Sequence, residues 1–307
     1  MPGRPGRKQR PGAADESTGG YPAPTMIFES ALVSADQLAG KLGSSGLAVL
    51  DCRFSLLDPE AGRKAYLEGH IPGASYADLD RDLAGPIGPA TGRHPLPAAS
   101  DFQRRLGAWG IDRQSTVVVY DDVGGAIAAR AWWLLKWLGH PEAALLDGGL
   151  PAWFAGNHPL ETDTPEPQAQ RYIGTPGQRR VYDTAALEAG LRDRTIVLLD
   201  ARDEPRFRGQ QEPIDTAAGH VPGAINAPFQ HNLNADGRFR PSAALAELYA
   251  PMIGNRSADA VVCMCGSGVT ACHNIFAIER AGYGGPSLYA GSWSEWIRSG
   301  DRPIATA

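Results

Sequence analysis

The amino-acid sequence predicts an α/β fold made of two tandem domains, each with a mostly parallel sheet and helices on both of its faces. Two observations lead to this prediction. Short runs of β-branched residues alternate along the chain with helical patterns, which is typical of parallel sheets covered by helices. In addition, one large unit occurs twice, which indicates a duplicated domain rather than a single large one.

The duplication is read from four segments of the first half that recur in the same order in the second half. The matched residues Asp51 and Asp200 lie 149 positions apart, and Leu146 and Tyr289 lie 143 apart, so only small loop insertions and deletions separate the copies. The matched segments are residues 49–53 with 198–202, 69–74 with 219–224, 117–121 with 261–265, and 146–153 with 289–296.

Each copy predicts the same succession of elements. The first copy predicts strands over residues 47–51, 116–120 and 144–146 and helices over 101–109, capped by Ser100, and 126–138. The second copy predicts strands over 196–199, 260–264 and 287–289 and helices over 243–249 and 269–281.

The domain boundaries follow from changes in composition. Residues 1–26 are rich in Gly, Pro and polar side chains that cannot cover a core, which predicts a disordered tail. The Pro-, Thr- and Glu-rich residues 157–180 are the predicted linker. We therefore expect one domain over residues 27–156 and a second over 181–307.

Composition excludes several classes of function. The 307 residues carry 29 basic and 34 acidic side chains, a net charge of -5, which argues against a nucleic-acid-binding protein. No apolar run approaches the roughly 20 residues that cross a bilayer, so no membrane association is expected. The N-terminal segment lacks the apolar stretch of a secretory signal, and three of the four cysteines fall within ten residues, unlike a disulfide framework. A cytoplasmic protein is the expectation.

The candidate reactive residue is Cys265, which stands between a predicted buried strand and a predicted helix. Gly266 and Gly268 let the loop curl so that backbone N–H groups point at the sulfur, and the helix N-terminus adds partial positive charge. Both effects favour a thiolate, the form of sulfur that acts as a nucleophile. We expect the other three cysteines, Cys52, Cys263 and Cys272, to be buried packing residues.

Three other chemistries use similar pieces and fit less well. A zinc site could be drawn from Cys263, Cys265, Cys272 and His273, but their spacing does not match paired CxxC motifs. A cysteine phosphatase needs an arginine six residues after the cysteine, where this chain has Ala271. A redox dithiol favours CxxC, whereas residues 263–265 read CxC.

These residues resemble the two-domain rhodanese family of sulfurtransferases. The resemblance rests on the tandem units, the paired GH(I/V)PGA segments, the CGSGVTAC loop and the GSWSEW ending, and it covers residues 27–303. It implies two rhodanese-like domains, of which the second is catalytic. The first would be silent, because Asp121 stands where the second copy has Cys265.

The resemblance also implies roles for individual residues. Cys265 would carry a persulfide, and Arg206 would bind the substrate together with the loop residues Gly266, Gly268, Val269 and Thr270. Ser267 is a candidate for proton transfer. His94 and Asp78 would reach across to the site from the first domain.

The loop type indicates the sulfur donor. It resembles that of family members that use 3-mercaptopyruvate and lacks the basic residues of thiosulfate-using members. One departure is Ile214, where mercaptopyruvate enzymes often have a second arginine. The expected activity is sulfur transfer from 3-mercaptopyruvate to cyanide or to a thiol, either a thioredoxin-like protein or a low-molecular-weight thiol. The alternatives are thiosulfate as donor or a persulfide carrier with little turnover. No metal or organic cofactor is implied.

Overall fold

The computed structural model describes residues 27–306. The predicted disordered tail, residues 1–26, lies outside the described residues. The strands are β1 Leu32–Val33, β2 Leu47–Asp51, β3 Ala74–Tyr76, β4 Thr116–Tyr120, β5 Ala143–Leu146, β6 Val181–Tyr182, β7 Val197–Asp200, β8 Ile225–Asn226, β9 Val261–Met264 and β10 Ser287–Tyr289. The α-helices are α1 Ala35–Ala39, α2 Ala61–Glu68, α3 Ala99–Ala108, α4 Ala128–Trp137, α5 Gly149–Ala155, α6 Thr184–Arg192, α7 Glu204–Phe207, α8 Ser242–Ile253, α9 Thr270–Arg280 and α10 Ser292–Trp296.

The strands form two five-stranded sheets with the same topology. The first has the order β1-β5-β4-β2-β3 and the second the order β6-β10-β9-β7-β8, and the strand pairs within both are parallel. The register is also equivalent, since Asp51 pairs with Tyr120 in the first sheet and Asp200 with Met264 in the second. The predicted α/β fold and its duplication are confirmed.

Alternation along the strands places helices on both faces of each sheet. In β4, Val117 and Val119 pack in the cluster that contains α4, whereas Val118 and Tyr120 pack in the cluster that contains α1 and α5. All five residues of β4 are buried, as expected for a central parallel strand. Its following residue is therefore held at the carboxyl edge of the sheet, where ligands bind in α/β folds.

The predicted starts of four helices, α3, α4, α8 and α9, differ from the structure by one or two residues. Helix α3 begins at Ala99 after Ala98, so Ser100 lies inside the first turn and does not cap it. Helix α4 begins at Ala128 rather than 126, because the Asp121 carboxylate accepts hydrogen bonds from the backbone of the preceding loop and keeps that loop wound around it. Helix α9 likewise begins one residue later than predicted, at Thr270.

The two domains meet along α4 and α9. Trp132 of α4 contacts Phe276 of α9 edge to face, with ring centroids 4.9 Å apart, and one continuous apolar cluster includes residues of both domains. The predicted linker, residues 157–180, contains an isolated bridge from Glu161 back to His70. Within residues 27–306, no helix has the length and apolar character needed to cross a membrane. The interface brings the loops after β3 and β9 to a common cleft.

Candidate active site

The loop after β9 wraps around the sulfur of Cys265. The N–H groups of Gly268 and Ser267 point at Sγ, at 3.1 and 3.4 Å. The backbone of Cys265 is itself fixed, since its N–H donates to Ser292 Oγ and its carbonyl accepts from the N–H of Trp293. Two inward N–H groups at the start of a helix stabilise a negative sulfur at this position.

The two glycines of the loop are required for different reasons. Gly268 has a φ of +79°, and a Cβ there would lie 2.5 Å from the carbonyl oxygen of Ala290. A Cβ at Gly266 would lie 3.0 Å from Nη2 of Arg93 and 3.5 Å from Nη2 of Arg206. Gly266 therefore leaves space for two guanidinium groups, and Gly268 allows the turn.

A cavity of about 200 Å³ opens above Cys265 between the domains. The predicted residues Val269 and Thr270 lie in its wall, and apolar side chains from both domains complete it, among them Phe54 of the first domain and Ile214 of the second. The polar groups that reach this space are few and come from both domains, which is the usual character of a small-molecule site.

The first domain contributes a hydrogen-bonded chain that ends at the cysteine loop. His94 Nδ1 lies 2.7 Å from Ser267 Oγ, and His94 Nε2 lies 3.1 Å from Asp80 Oδ1. With Nε2 donating to the Asp80 carboxylate, Nδ1 accepts from the Ser267 hydroxyl. Burial, followed by the nearby charges of Arg130 and Arg93, lowers the pKa of His94 to about 3, so the ring is neutral at neutral pH.

The expectation for Asp78 needs correction. Its carboxylate accepts hydrogen bonds from the backbone N–H groups of Asp80 and Arg81, which closes a turn, and it does not line the cavity above Cys265. Asp80, two residues further on, contacts His94 instead. The short segment contains three carboxylates, those of Asp78, Asp80 and Asp82, and only the turn geometry distinguishes them.

Three arginines line the cavity: Arg202, whose guanidinium is bound by Asp200 and Glu212, and the pair Arg206 and Arg93, which come from opposite domains. Arg206, on α7, is held by bidentate contacts of Nε and Nη2 with Glu212. Arg93 comes from the first domain, next to His94. Asp215 bridges the pair, with Oδ1 on Arg93 Nη1 and Oδ2 3.2 Å from Arg206 Nη2. Burial raises the pKa of Asp215, and the Arg93 guanidinium opposes that rise.

Arg93 therefore supplies the second cation that mercaptopyruvate enzymes often have at the position of Ile214. Sequence reasoning missed Arg93, because a charged residue in a Gly- and Pro-rich loop gives no sign of reaching the other domain. Arg208, the residue after α7, pairs with Glu204. Its side chain is half exposed and lies outside the cavity.

Arg130 is a second residue that sequence reasoning missed. It is fully buried on α4 and donates to the carbonyl oxygens of Gly268, at 3.1 Å, and of His94, at 3.1 Å. It also donates to the carbonyls of Pro95 and Leu83. One side chain thus joins the cysteine loop of the second domain to the histidine segment of the first.

The equivalent loop of the first domain holds a built-in anion. The Asp121 carboxylate accepts hydrogen bonds from the N–H groups of Val123, Gly125, Ile127 and Ala128, at 2.8 to 2.9 Å. Asp121 is completely buried. The same strand, loop and helix therefore form an anion cradle in both domains, and in the first domain a carboxylate fills it.

The other cysteines have different surroundings. Burial raises the pKa of Cys52 and of Cys263, and raises that of Cys272 to about 12. His273, considered above as a zinc ligand, contacts Asn232 at Nδ1 and the carbonyl of Gly124 at Nε2. Within the described part of the chain, no three His, Cys, Asp or Glu side chains are arranged to hold a metal ion.

The fold and the cysteine loop define the class of this protein. The model of the Rhodanese-like domain family matches residues 34–155 and 183–299. The chain belongs to the rhodanese-like family, with two copies of the domain, as the resemblance implied.

Particular relatives support the same assignment. A probable 3-mercaptopyruvate sulfurtransferase of Pseudomonas aeruginosa is 50% identical over 277 residues, which cover 90% of this chain and 98% of that protein. A putative thiosulfate sulfurtransferase of Mycobacterium tuberculosis is 39% identical over 89% of this chain and 96% of its own length. The structure of 3-mercaptopyruvate sulfurtransferase from Leishmania major matches with a TM-score of 0.77 and 30% identity, covering 89% of this chain and 75% of that one.

Proposed function

We propose that this protein is a sulfurtransferase that takes sulfur from 3-mercaptopyruvate as a persulfide on Cys265. It then passes the outer sulfur to an acceptor, either cyanide or a thiol on a thioredoxin-like protein or a small molecule. The observation that carries the proposal is the cavity in which the Cys265 sulfur, two guanidinium groups and the Ser267 hydroxyl face one small space. A 2-oxo acid with a thiol has a group for each of them.

The donor carboxylate would bind between the two arginines. No acceptor among residues 27–306 takes a hydrogen bond from Arg93 Nη2 or Arg206 Nη1, whereas the other ends of both groups are held by Asp215 and Glu212. Measured from the point where a Cβ of Gly266 would stand, Arg93 Nη2 lies at 3.0 Å and Arg206 Nη1 at 3.9 Å. A carboxylate bound beside Gly266 would accept charge-assisted hydrogen bonds from both domains.

The first step forms one S–S bond and breaks one C–S bond. The Cys265 thiolate attacks the donor sulfur, and the electrons of the C–S bond leave with the carbon as the enolate of pyruvate. The proton of the donor thiol is relayed by the Ser267 hydroxyl to the enolate carbon, and the neutral His94 ring holds that hydroxyl in place through Nδ1. Asp80 fixes the tautomer of that ring by accepting a hydrogen bond from Nε2.

The second step transfers the outer sulfur from the persulfide to the acceptor and restores the thiolate. During the interval, the N–H groups of Ser267 and Gly268 hold the negative persulfide as they hold the thiolate. The two steps share one site in turn, which predicts ping-pong kinetics.

The test compares kcat/KM for 3-mercaptopyruvate and for thiosulfate and examines a variant at the cysteine. We expect 3-mercaptopyruvate to be the better donor and Cys265→Ser to lose turnover while it keeps the wild-type melting temperature. Cys52→Ser, the same substitution at a buried cysteine of the first domain, is the control and should remain active.

Three results would contradict the proposal. Turnover by Cys265→Ser would exclude the persulfide mechanism, and a preference for thiosulfate would exclude the donor. A persulfide seen by mass spectrometry on Cys265 without donor-driven turnover would favour the carrier function.

A further inference from the structure

The guanidinium groups above Cys265 belong to a closed ionic cluster. Arg202 is paired with Asp200 and lies 3.5 Å from Glu212, and Glu212 in turn holds Arg206. Asp215 completes the cluster by contacting Arg206 and Arg93. Three guanidinium groups therefore face three carboxylates, and the cluster has no net charge before a donor arrives.

Asp215 occupies a special place among the three carboxylates. Its two oxygens are divided between the two arginines that reach the cavity, and its side chain is only 5% exposed. Asp200 and Glu212 contact Arg202 and Arg206 but not Arg93. Asp215 is thus the carboxylate that balances the cation contributed by the first domain.

We propose that Asp215 is a positioning residue that determines donor specificity by setting the charge of this clamp to accept one negative charge rather than two. The inference deepens the proposed function and rests on it, because it concerns the charge of the donor at the same site. 3-Mercaptopyruvate carries one carboxylate, whereas thiosulfate is a dianion.

The physical reason is the dependence of Coulomb energy on ligand charge. In a neutral cluster, the outer N–H groups of the arginines satisfy one carboxylate through directed hydrogen bonds, but no excess positive charge favours a second negative charge. If the Asp215 charge is removed, the cluster gains a positive charge next to the ligand. A dianion then gains twice the interaction energy that a monoanion gains, in a cleft where solvent screening is weak.

The test is the isosteric substitution Asp215→Asn, with Glu204→Gln as the matched control. Glu204 lies on α7, and its substitution likewise removes one negative charge, but Glu204 is exposed and pairs with Arg208 outside the cluster. In Asp215→Asn we expect the ratio of kcat/KM for thiosulfate to that for 3-mercaptopyruvate to rise about tenfold or more. In Glu204→Gln we expect the ratio to stay within about twofold of wild type.

Two further measurements separate a charge effect from a loss of structure. Asp215→Glu restores the charge and should bring the ratio back towards the wild-type value. Sulfate, a dianion, and pyruvate, a monoanion, are tested as competitive inhibitors. Relative to the wild type, the inhibition constant for sulfate should fall more than that for pyruvate in Asp215→Asn. A general loosening of the arginines would weaken both inhibitors.

An unchanged donor ratio in Asp215→Asn, at a wild-type melting temperature, would overturn the inference while leaving the proposed function intact. Asp215→Ser is a second variant that removes the charge, and it must shift the ratio in the same direction. A wild-type protein that prefers thiosulfate would overturn the proposed function and this inference together. The kinetics of the wild type alone reveal that failure, so the two are distinguishable.

Discussion

Gly268→Ala tests whether the shape of the cysteine loop produces the reactivity of Cys265. Two costs follow from the structure. The left-handed φ of +79° costs an L-residue about 1–2 kcal/mol. The new Cβ would lie 2.5 Å from the carbonyl oxygen of Ala290, so the two must separate by about 0.9 Å to reach an ordinary contact of 3.4 Å. That carbonyl lies between β10 and α10, and α10 itself holds the loop through Ser292 and Trp293.

The separation moves the N–H group that stabilises the sulfur. Gly268 N lies 3.1 Å from Cys265 Sγ, and a shift of this size takes it out of hydrogen-bond range. We expect kcat/KM for 3-mercaptopyruvate to fall about 100-fold, because a displacement near 1 Å at a reacting centre has an effect of this order.

Gly223→Ala is the matched control for backbone strain. Gly223 has a φ of +85°, but no atom lies within 4 Å of its Cβ position. This variant should lose about 1–2 kcal/mol of unfolding free energy and keep wild-type kinetics. Steady-state kinetics and urea unfolding of both proteins decide the matter. Wild-type kcat/KM in Gly268→Ala would refute the link between this loop geometry and catalysis.

Three further predictions concern the clamp, the proton path and acid stability. Arg206→Met should raise KM for 3-mercaptopyruvate about 10- to 100-fold, whereas Arg208→Met, outside the cavity, should leave it unchanged; equal effects would exclude the clamp. His94→Asn should lower kcat for 3-mercaptopyruvate about 100-fold and kcat for thiosulfate far less, because sulfite needs no proton when it leaves thiosulfate. Equal losses with both donors would contradict the proton path. Burial lowers the pKa of His140 and of His273 to about 4, so both are neutral when folded and take up protons on unfolding below about pH 6.5. Their contribution to the free energy of unfolding is complete above that pH and is lost as the pH falls towards 4, by about 1.4 kcal/mol per pH unit for each histidine. Urea unfolding at pH 7 and at pH 5 measures this loss, which should be smaller in His273→Gln than in the wild type.

The parts of the fold that the sequence predicted well are those that depend on local pattern. The buried runs of β4 and β9 are strands within a residue of their predicted bounds, since four consecutive apolar residues between turn signals have few other uses. The loop after β9 was recognisable for a similar reason: glycines directly after a buried cysteine indicate a backbone that curls around it.

The residues that the sequence did not predict act across the domain interface. Asp80 and Asp78 differ by two positions in one turn, and the choice between them depends on which carboxylate the backbone N–H groups of that turn capture. Arg130 follows an alanine pair in an apolar helix, where only the packing of α4 on α9 shows that it must be buried. Local pattern contains no information about either contact.

The comparison of Asp121 with Cys265 shows what the second domain adds to a shared cradle. Both side chains follow the central strand of their sheet, and both accept hydrogen bonds from loop N–H groups. Asp121 receives four such bonds and is wholly enclosed, so its own carboxylate fills the cradle. Cys265 receives two, and its open side faces the cavity and the arginines. An anion cradle alone therefore stabilises a loop, and it becomes reactive where its anion is a sulfur that a substrate can reach.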